Sequence, residues 1–193
     1  MIVGNDVVDL EDPEAVGASR RERFVRRILR PAELRVLERA REPDAALWSF
    51  FAAKEAAYKA IVRLRGGAPS APSAYDVSCD LASVRLSELR LRLHVHDAGG
   101  CGFIHAVAWI GARPEFGVGV SRGDPGADVR SLAIRSVAVT SGWPSSILRI
   151  VRDPQAGAWD GLGPPWLERD GVRLDACVSL SHHGRFVAYA HGH

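Results

Sequence analysis

From Leu89 to His96 the chain reads LRLRLHVH, alternating apolar and polar residues without a break. A side-chain period of two belongs to a strand with one buried face, so Leu89, Leu91, Leu93 and Val95 point into a core while Arg90, Arg92, His94 and His96 point out of it. Strands of this kind build antiparallel sheets, and the run FIHAVAWIG at 103–111 supplies a partner across the glycine-rich turn DAGGCG. Such a sheet needs a cover on its apolar face. The segment from Asp44, an N-cap by residue type, to the breaker pair Gly66-Gly67 offers one, with Leu47, Phe50, Phe51, Tyr58, Ile61 and Val62 as its apolar contacts. The pattern predicts an α+β fold in which a helix packs on a small antiparallel sheet.

The remaining chain repeats that plan. Residues 1–9 read as a short buried strand interrupted by a turn at Gly4-Asn5, with Asp6 at its edge. An arginine-rich helix over Ser19–Leu29 stops at Pro31, which itself opens a second helix, PAELRVLERAR. After the loop APSAPS at 68–73 and the glycine and proline cluster SRGDPGAD at 121–128, a helix over Val129–Thr140 leads into strands near 147–152, 166–169, 174–180 and 186–191. His191 and His193 lie in a tail expected to fray. We place the boundary at 122, so that residues 1–122 and 123–193 form two halves of one compact unit.

Composition narrows the functional classes. With 193 residues, 47% apolar and 25% charged, the chain suits a soluble globular protein with one sizeable core. A formal charge of +2 is too small for a general polyanion binder, so electrostatic arguments rest on local clusters. One such cluster is RRERFVRRILR at 20–30, which is either a solvated helix face or a docking surface for an acidic partner. Three cysteines without metal or redox spacing read as reduced thiols of a cytoplasmic protein, and neither a membrane span nor a signal peptide is expected.

Of 25 basic residues 23 are arginine, and the two lysines, Lys54 and Lys59, both fall in WSFFAAKEAAYK at 48–59. In a chain drifted so far toward arginine, lysine persists where a compact ammonium fits and a planar guanidinium does not. Glu55 and Lys59 are four apart on one helix face, a spacing that suits a surface ion pair. It equally suits a site in which Asp6 and Glu55 share one hard cation, magnesium being the natural choice, while Lys59 meets a phosphate. The motif SLSHHG at 179–184 is better placed for phosphate binding than for nucleophilic catalysis, because Ser181 and His182 are neighbours on a strand and point to opposite faces. His94, His96 and His105 lack a recognisable fourth ligand for zinc and read as exposed strand residues.

Taken together, GND at 4–6, WSFFAAKEAAYK at 48–59 and SLSHHG at 179–184 resemble the signature of the 4′-phosphopantetheinyl transferases, and RFVRRILRPAEL at 23–34 resembles the first helix of their small holo-acyl-carrier-protein synthase type. The resemblance implies transfer of the phosphopantetheine arm of coenzyme A to a serine of an apo acyl or peptidyl carrier protein, with release of 3′,5′-ADP. By the same similarity Asp6 and Glu55 hold magnesium, Lys59 steadies a phosphate with Lys54 alongside, and Ser181 and His182 match the coenzyme-binding serine and histidine. Either Glu55 or a metal-bound water takes the serine proton. Arg23, Arg26 and Arg27 are expected to dock the acidic helix of a carrier protein.

The order of motifs implies a pseudo-dimer of two similar halves, permuted relative to the large single-chain type and working as a monomer. Asn5 stands where isoleucine is usual, and Val8 stands where the large type has its second carboxylate. Asp9 resembles the small type's acid at that place. The lysine of the GKP segment is replaced by Pro164, leaving Arg149, Arg152 or Arg169 to compensate. Two alternatives stay open: a degenerate relative that binds coenzyme A or a carrier without transfer, and an arginine-helix nucleic-acid binder. Scarce aromatics near the arginines weigh against the second.

Overall fold

In a computed structural model, which describes residues 1–97, 101–156 and 161–192, β1 (Ile2–Asp9) runs unbroken through Gly4-Asn5, where a turn was expected. The glycine serves a close approach instead. A Cβ on Gly4 would lie 2.1 Å from the backbone oxygen of Ala56 and 2.6 Å from the nitrogen of Ala60, so a helix can lie directly on this strand. That helix is the third of the chain.

Before it come α1 (Glu22–Ile28) and α2 (Pro31–Leu37), followed by α3 (Pro43–Arg65), which ends at Gly66 in the left-handed region with φ 73°. The expected helix over Ser19–Leu29 is shorter because Arg21 leaves helical geometry, with φ −86° and ψ 83°. Asp44 is not the N-cap of α3. Its two carboxylate oxygens accept the backbone N–H groups of Gly17 and Ser19, tying the preceding loop to the first turn of α3.

Next come β2 (Asp76–Val77), β3 (Ser83–Leu86), β4 (Leu89–Asp97) and β5 (Phe103–Ile110), which with β1 form one antiparallel sheet in the order β1-β5-β4-β3-β2. The second half repeats this topology strand for strand. Here β6 (Glu115–Val120) precedes α4 (Pro125–Ser141), and β7 (Leu148–Val151), β8 (Trp166–Arg169), β9 (Val172–His183) and β10 (Phe186–Gly192) complete a sheet ordered β6-β10-β9-β8-β7. The fold is α+β, two similar halves each built as strand, helix and four further strands. Sequence reasoning missed β6; by sheet membership the chain changes sheets between Ile110 and Glu115, ahead of residue 122. The DAGGCG turn and the tail His193 lie partly or wholly outside the described residues. His191 does not fray: it is 3% exposed on β10 and lies 2.8 Å from the Ser136 hydroxyl of α4.

Each half has its own core between helix and sheet. In the first, Phe50, Ala53, Ala57 and Ile61 of α3 pack on Val8, Leu91, Ile104 and Ala106; in the second, Ala133 and Val137 of α4 pack on Leu148, Leu167 and Val178. Between the sheets lie two smaller clusters, Val3, Val107, Trp109 and Ala190, and Val7, Phe186 and Ala188, which draw on both halves. Even-numbered residues of β1 therefore face α3 and odd-numbered ones face the other half. Among the described residues, no helix is long and apolar enough to cross a membrane, and all three cysteines are free.

Candidate active site

Where the halves meet, β1 is an edge strand lying against β9. The backbone N–H groups of alternate β1 residues would go unpaired, but side chains of alternate β9 residues receive them. Ser179 Oγ accepts from Asn5 N at 2.9 Å, Ser181 Oγ from Val7 N at 3.3 Å, and His183 Nδ1 from Asp9 N at 3.1 Å. Two strands with the same period thus form a ladder of side chain on backbone, and the SLSHHG motif is its rail.

Asp6 lies on the other side of β1, under α3. Its Oδ1 accepts from Lys59 Nζ at 2.7 Å and from Ser181 Oγ at 2.8 Å, and Lys59 Nζ also donates to the Asn5 carbonyl at 3.0 Å. Glu55, one helical turn before Lys59, shares this pocket. Its carboxyl is pushed up to about 6, first by burial and then by the charge of Asp6, with Lys59 pulling the other way. Two neighbouring carboxylates, offering oxygen donors only, suit a hard divalent cation. Among the described residues no three His, Cys, Asp or Glu side chains converge as a metal site, so a cation on Asp6 and Glu55 would take its other ligands from water or substrate, and the zinc reading of His94, His96 and His105 finds no support. Burial pushes His105 down to about 3, leaving it a neutral partner of Asn5 at 3.2 Å.

Two clefts open on this boundary. One, of about 620 Å³, is lined by Lys59, Arg63, Arg130, Arg152, Pro164 and His182, among others. The other, of about 610 Å³, includes Asp6, Glu55, Phe24, Trp48, Phe51 and His182. The exposed His182 borders both, while Ser181 lines neither. Of the arginines named to replace the lysine at Pro164, Arg152 shares the cleft; Arg149 is exposed on β7 and Arg169 is stacked 4.4 Å over Trp143. Arg63 and Arg130 were not foreseen, although Arg63 stands one turn beyond Lys59 on the same helix face.

Lys54 does not reach either cleft. Its side chain is 0% exposed and donates to Glu33 Oε2 at 2.6 Å and to the Ile28 carbonyl at 2.7 Å, while Glu33 also accepts the N–H groups of Arg30 and Val77. Neighbouring residues on a helix point about 100° apart, so the residue beside a cleft-facing Glu55 is turned into the core. Asp9 is likewise engaged elsewhere: Arg185 grips both its oxygens, at 2.8 and 2.9 Å, and holds its carboxyl down at about 2. Arg23, Arg26 and Arg27 stand exposed on α1, Arg26 in an exposed pair with Glu22, and α1 reaches the rim of the second cleft through Phe24.

No curated protein matches the chain. Among solved structures it is similar to the crystal structure of Thermotoga maritima holo-[acyl-carrier-protein] synthase, at 15% identity and a TM-score of 0.39, over 89% of this chain and 84% of that one. The family model of the 4′-phosphopantetheinyl transferase superfamily matches residues 2–100, just over half of the chain and the stretch that carries Asp6, Glu55 and Lys59. By that match the chain belongs to the 4′-phosphopantetheinyl transferase superfamily.

Proposed function

We propose that this protein transfers the 4′-phosphopantetheine group of coenzyme A to a serine of an apo acyl or peptidyl carrier protein, with magnesium as its metal. The observation that carries the reading is the meeting of Asp6, Glu55 and Lys59 where an arginine-lined cleft and an aromatic one adjoin. Arg63, Arg130 and Arg152 suit the phosphates of the nucleotide end, with His182 at the junction. The carrier serine then enters by the second cleft, whose rim includes α1, and the exposed Arg23, Arg26 and Arg27 give an acidic carrier helix its landing surface.

In the transfer, the serine oxygen forms a bond to the phosphorus joined to pantetheine, the bond from that phosphorus to the departing 3′,5′-ADP breaks, and the serine proton is taken up. Glu55 lies in the second cleft, where the serine enters, and is placed to receive it. Magnesium held by Asp6 and Glu55 would shield the pyrophosphate charge. Lys59, whose three donors meet Asp6, the Asn5 carbonyl and Ser181, would exchange the longest of these, to Ser181 at 3.3 Å, for a phosphate oxygen. Lys54 has no part in this chemistry.

The test is the intact mass of a purified apo acyl carrier protein after incubation with this protein, coenzyme A and magnesium. The expected result is a gain of one phosphopantetheine that disappears with Asp6→Ala or Glu55→Ala. Magnesium-dependent coenzyme A binding without transfer to fatty-acid, polyketide or peptidyl carriers would instead identify a non-catalytic relative. Two similar halves within one chain favour action as a monomer.

A further inference from the structure

The family resemblance assigns Ser181 to the coenzyme, and the geometry points elsewhere: we propose that Ser181 is a positioning residue, which fixes the Asp6 carboxylate for the cation and does not touch coenzyme A. This rests on the proposed function for its meaning.

Three observations carry it. Ser181 is only 7% exposed and lines neither cleft, although Ser179, Leu180 and His182 line the first and His182 and His183 the second. Its hydroxyl is also fully used. A serine hydroxyl donates once and accepts at most twice. Here it donates to Asp6 Oδ1 at 2.8 Å and accepts from Val7 N and Lys59 Nζ, each at 3.3 Å, leaving no capacity for a phosphate oxygen. Finally, both donors to Asp6, Ser181 and Lys59, fall on Oδ1, and neither falls on Oδ2.

A carboxylate held at one oxygen from two sides cannot turn, so its other oxygen keeps a fixed direction toward a ligand. The two holders come from different halves, Lys59 from α3 and Ser181 from β9. Asp6 is therefore set only when the halves are docked, and the serine acts as the second half's contribution to the first half's cation site.

The full chain, without coenzyme A or carrier, is titrated with Mn2+, and the free ion is followed by electron paramagnetic resonance. Wild type is expected to bind and Asp6→Ala to lose binding. Ser181→Ala is expected to weaken it by ~10-fold or more, the usual effect of removing a group that orients a metal ligand, and Ser181→Thr to restore most of it. Ser179→Ala removes the same kind of rung from the ladder but none from Asp6, and is expected to keep the wild-type Mn2+ affinity.

Coenzyme A affinity measured by calorimetry in EDTA is expected to be the same for wild type and Ser181→Ala. Unchanged Mn2+ binding with coenzyme A affinity down tenfold in Ser181→Ala would overturn the proposal. Should Ser181→Ala not fold, Ser181→Cys keeps the shape with a far weaker donor and is expected to show the same Mn2+ loss.

Wild type that binds no Mn2+ would overturn the proposal. Failure of the carrier-mass experiment with the Mn2+ differences among the variants intact would count against the transfer reaction alone and leave the positioning role standing.

Discussion

Replacing Lys54 by methionine separates a structural lysine from a coenzyme contact. In the native protein the ammonium is sealed under α3 with Glu33, both side chains 0% exposed, and it also satisfies the Ile28 carbonyl at the end of α1. Burial lowers the Lys54 pKa and the hydrogen bond and charge of Glu33 oppose that shift. Methionine fills much the same volume but leaves Glu33 as a buried, unpaired carboxylate. Breaking a buried pair from one side costs about 3–5 kcal/mol, a large share of the ~5–15 kcal/mol that holds a domain together.

Urea unfolding at neutral pH should show that loss as a lowered midpoint with an unchanged slope. Glu33→Ala should be destabilised as well, and the double variant by less than the sum of the two, with a coupling of at least about 1 kcal/mol. Coenzyme A affinity of the folded Lys54→Met protein should match wild type within about twofold, a difference below ~0.5 kcal/mol. A variant as stable as wild type that binds coenzyme A tenfold more weakly would refute the reasoning and return Lys54 to the cleft.

Gly4→Ala would drive a methyl into the backbone of Ala56 and Ala60, where no side chain can yield, and should cost at least the ~1–3 kcal/mol of ordinary overpacking, read as a drop in the thermal midpoint. Asp9, held near 2 in the fold against ~3.9 unfolded, stabilises the protein above pH 4, and this contribution fades as pH falls toward 2. Arg185→Gln should therefore lower stability at neutral pH and flatten its dependence between pH 4 and 2, as measured by urea midpoints. Glu55 has the opposite sign: with its carboxyl raised to about 6, the metal-free protein loses stability as pH rises from about 4.5 to 6. In EDTA above pH 7, Glu55→Gln should be more stable than wild type by up to about 2 kcal/mol, and the gap should close below pH 4.5. Charge reversal at Arg23 and Arg27 should raise KM for the carrier several-fold, steepen no salt dependence, and leave KM for coenzyme A alone.

Periodic elements were legible from the chain itself. The alternation at 89–96, the helix closing at Gly66-Gly67 and the strand at 166–169 all appear where the pattern places them. What the sequence hides is mutual placement. Gly4 is indistinguishable from a turn glycine until α3 is known to lie 2.1 Å from its missing Cβ. The strand EFGVGV was missed because its glycines, at 117 and 119, interrupt the run of apolar side chains by which a strand is recognised.

Within the site, Glu55 and Lys59 could be paired from the sequence because their spacing on one helix face is a local property, whereas the placing of Asp6 of β1 against Lys59 is a matter of the fold. Lys54 could have been set aside by the same helix geometry, since it cannot share a direction with Glu55. The ladder of Ser179, Ser181 and His183 had no local signal, because its partners sit on a strand 174 residues earlier.

That separation has a consequence for biosynthesis. β1 is made before β9, yet the hydroxyls and imidazole that close its outer edge belong to β9, so a growing chain carries an open strand edge on a nearly complete first half until the β9–β10 hairpin leaves the ribosome. An exposed edge of this kind is a template for pairing with another copy. Shortening the chain before β9 would thus remove more than half of a cleft: it would leave Asn5, Val7 and Asp9 with idle backbone donors, and self-association rather than a working fragment is the outcome to expect.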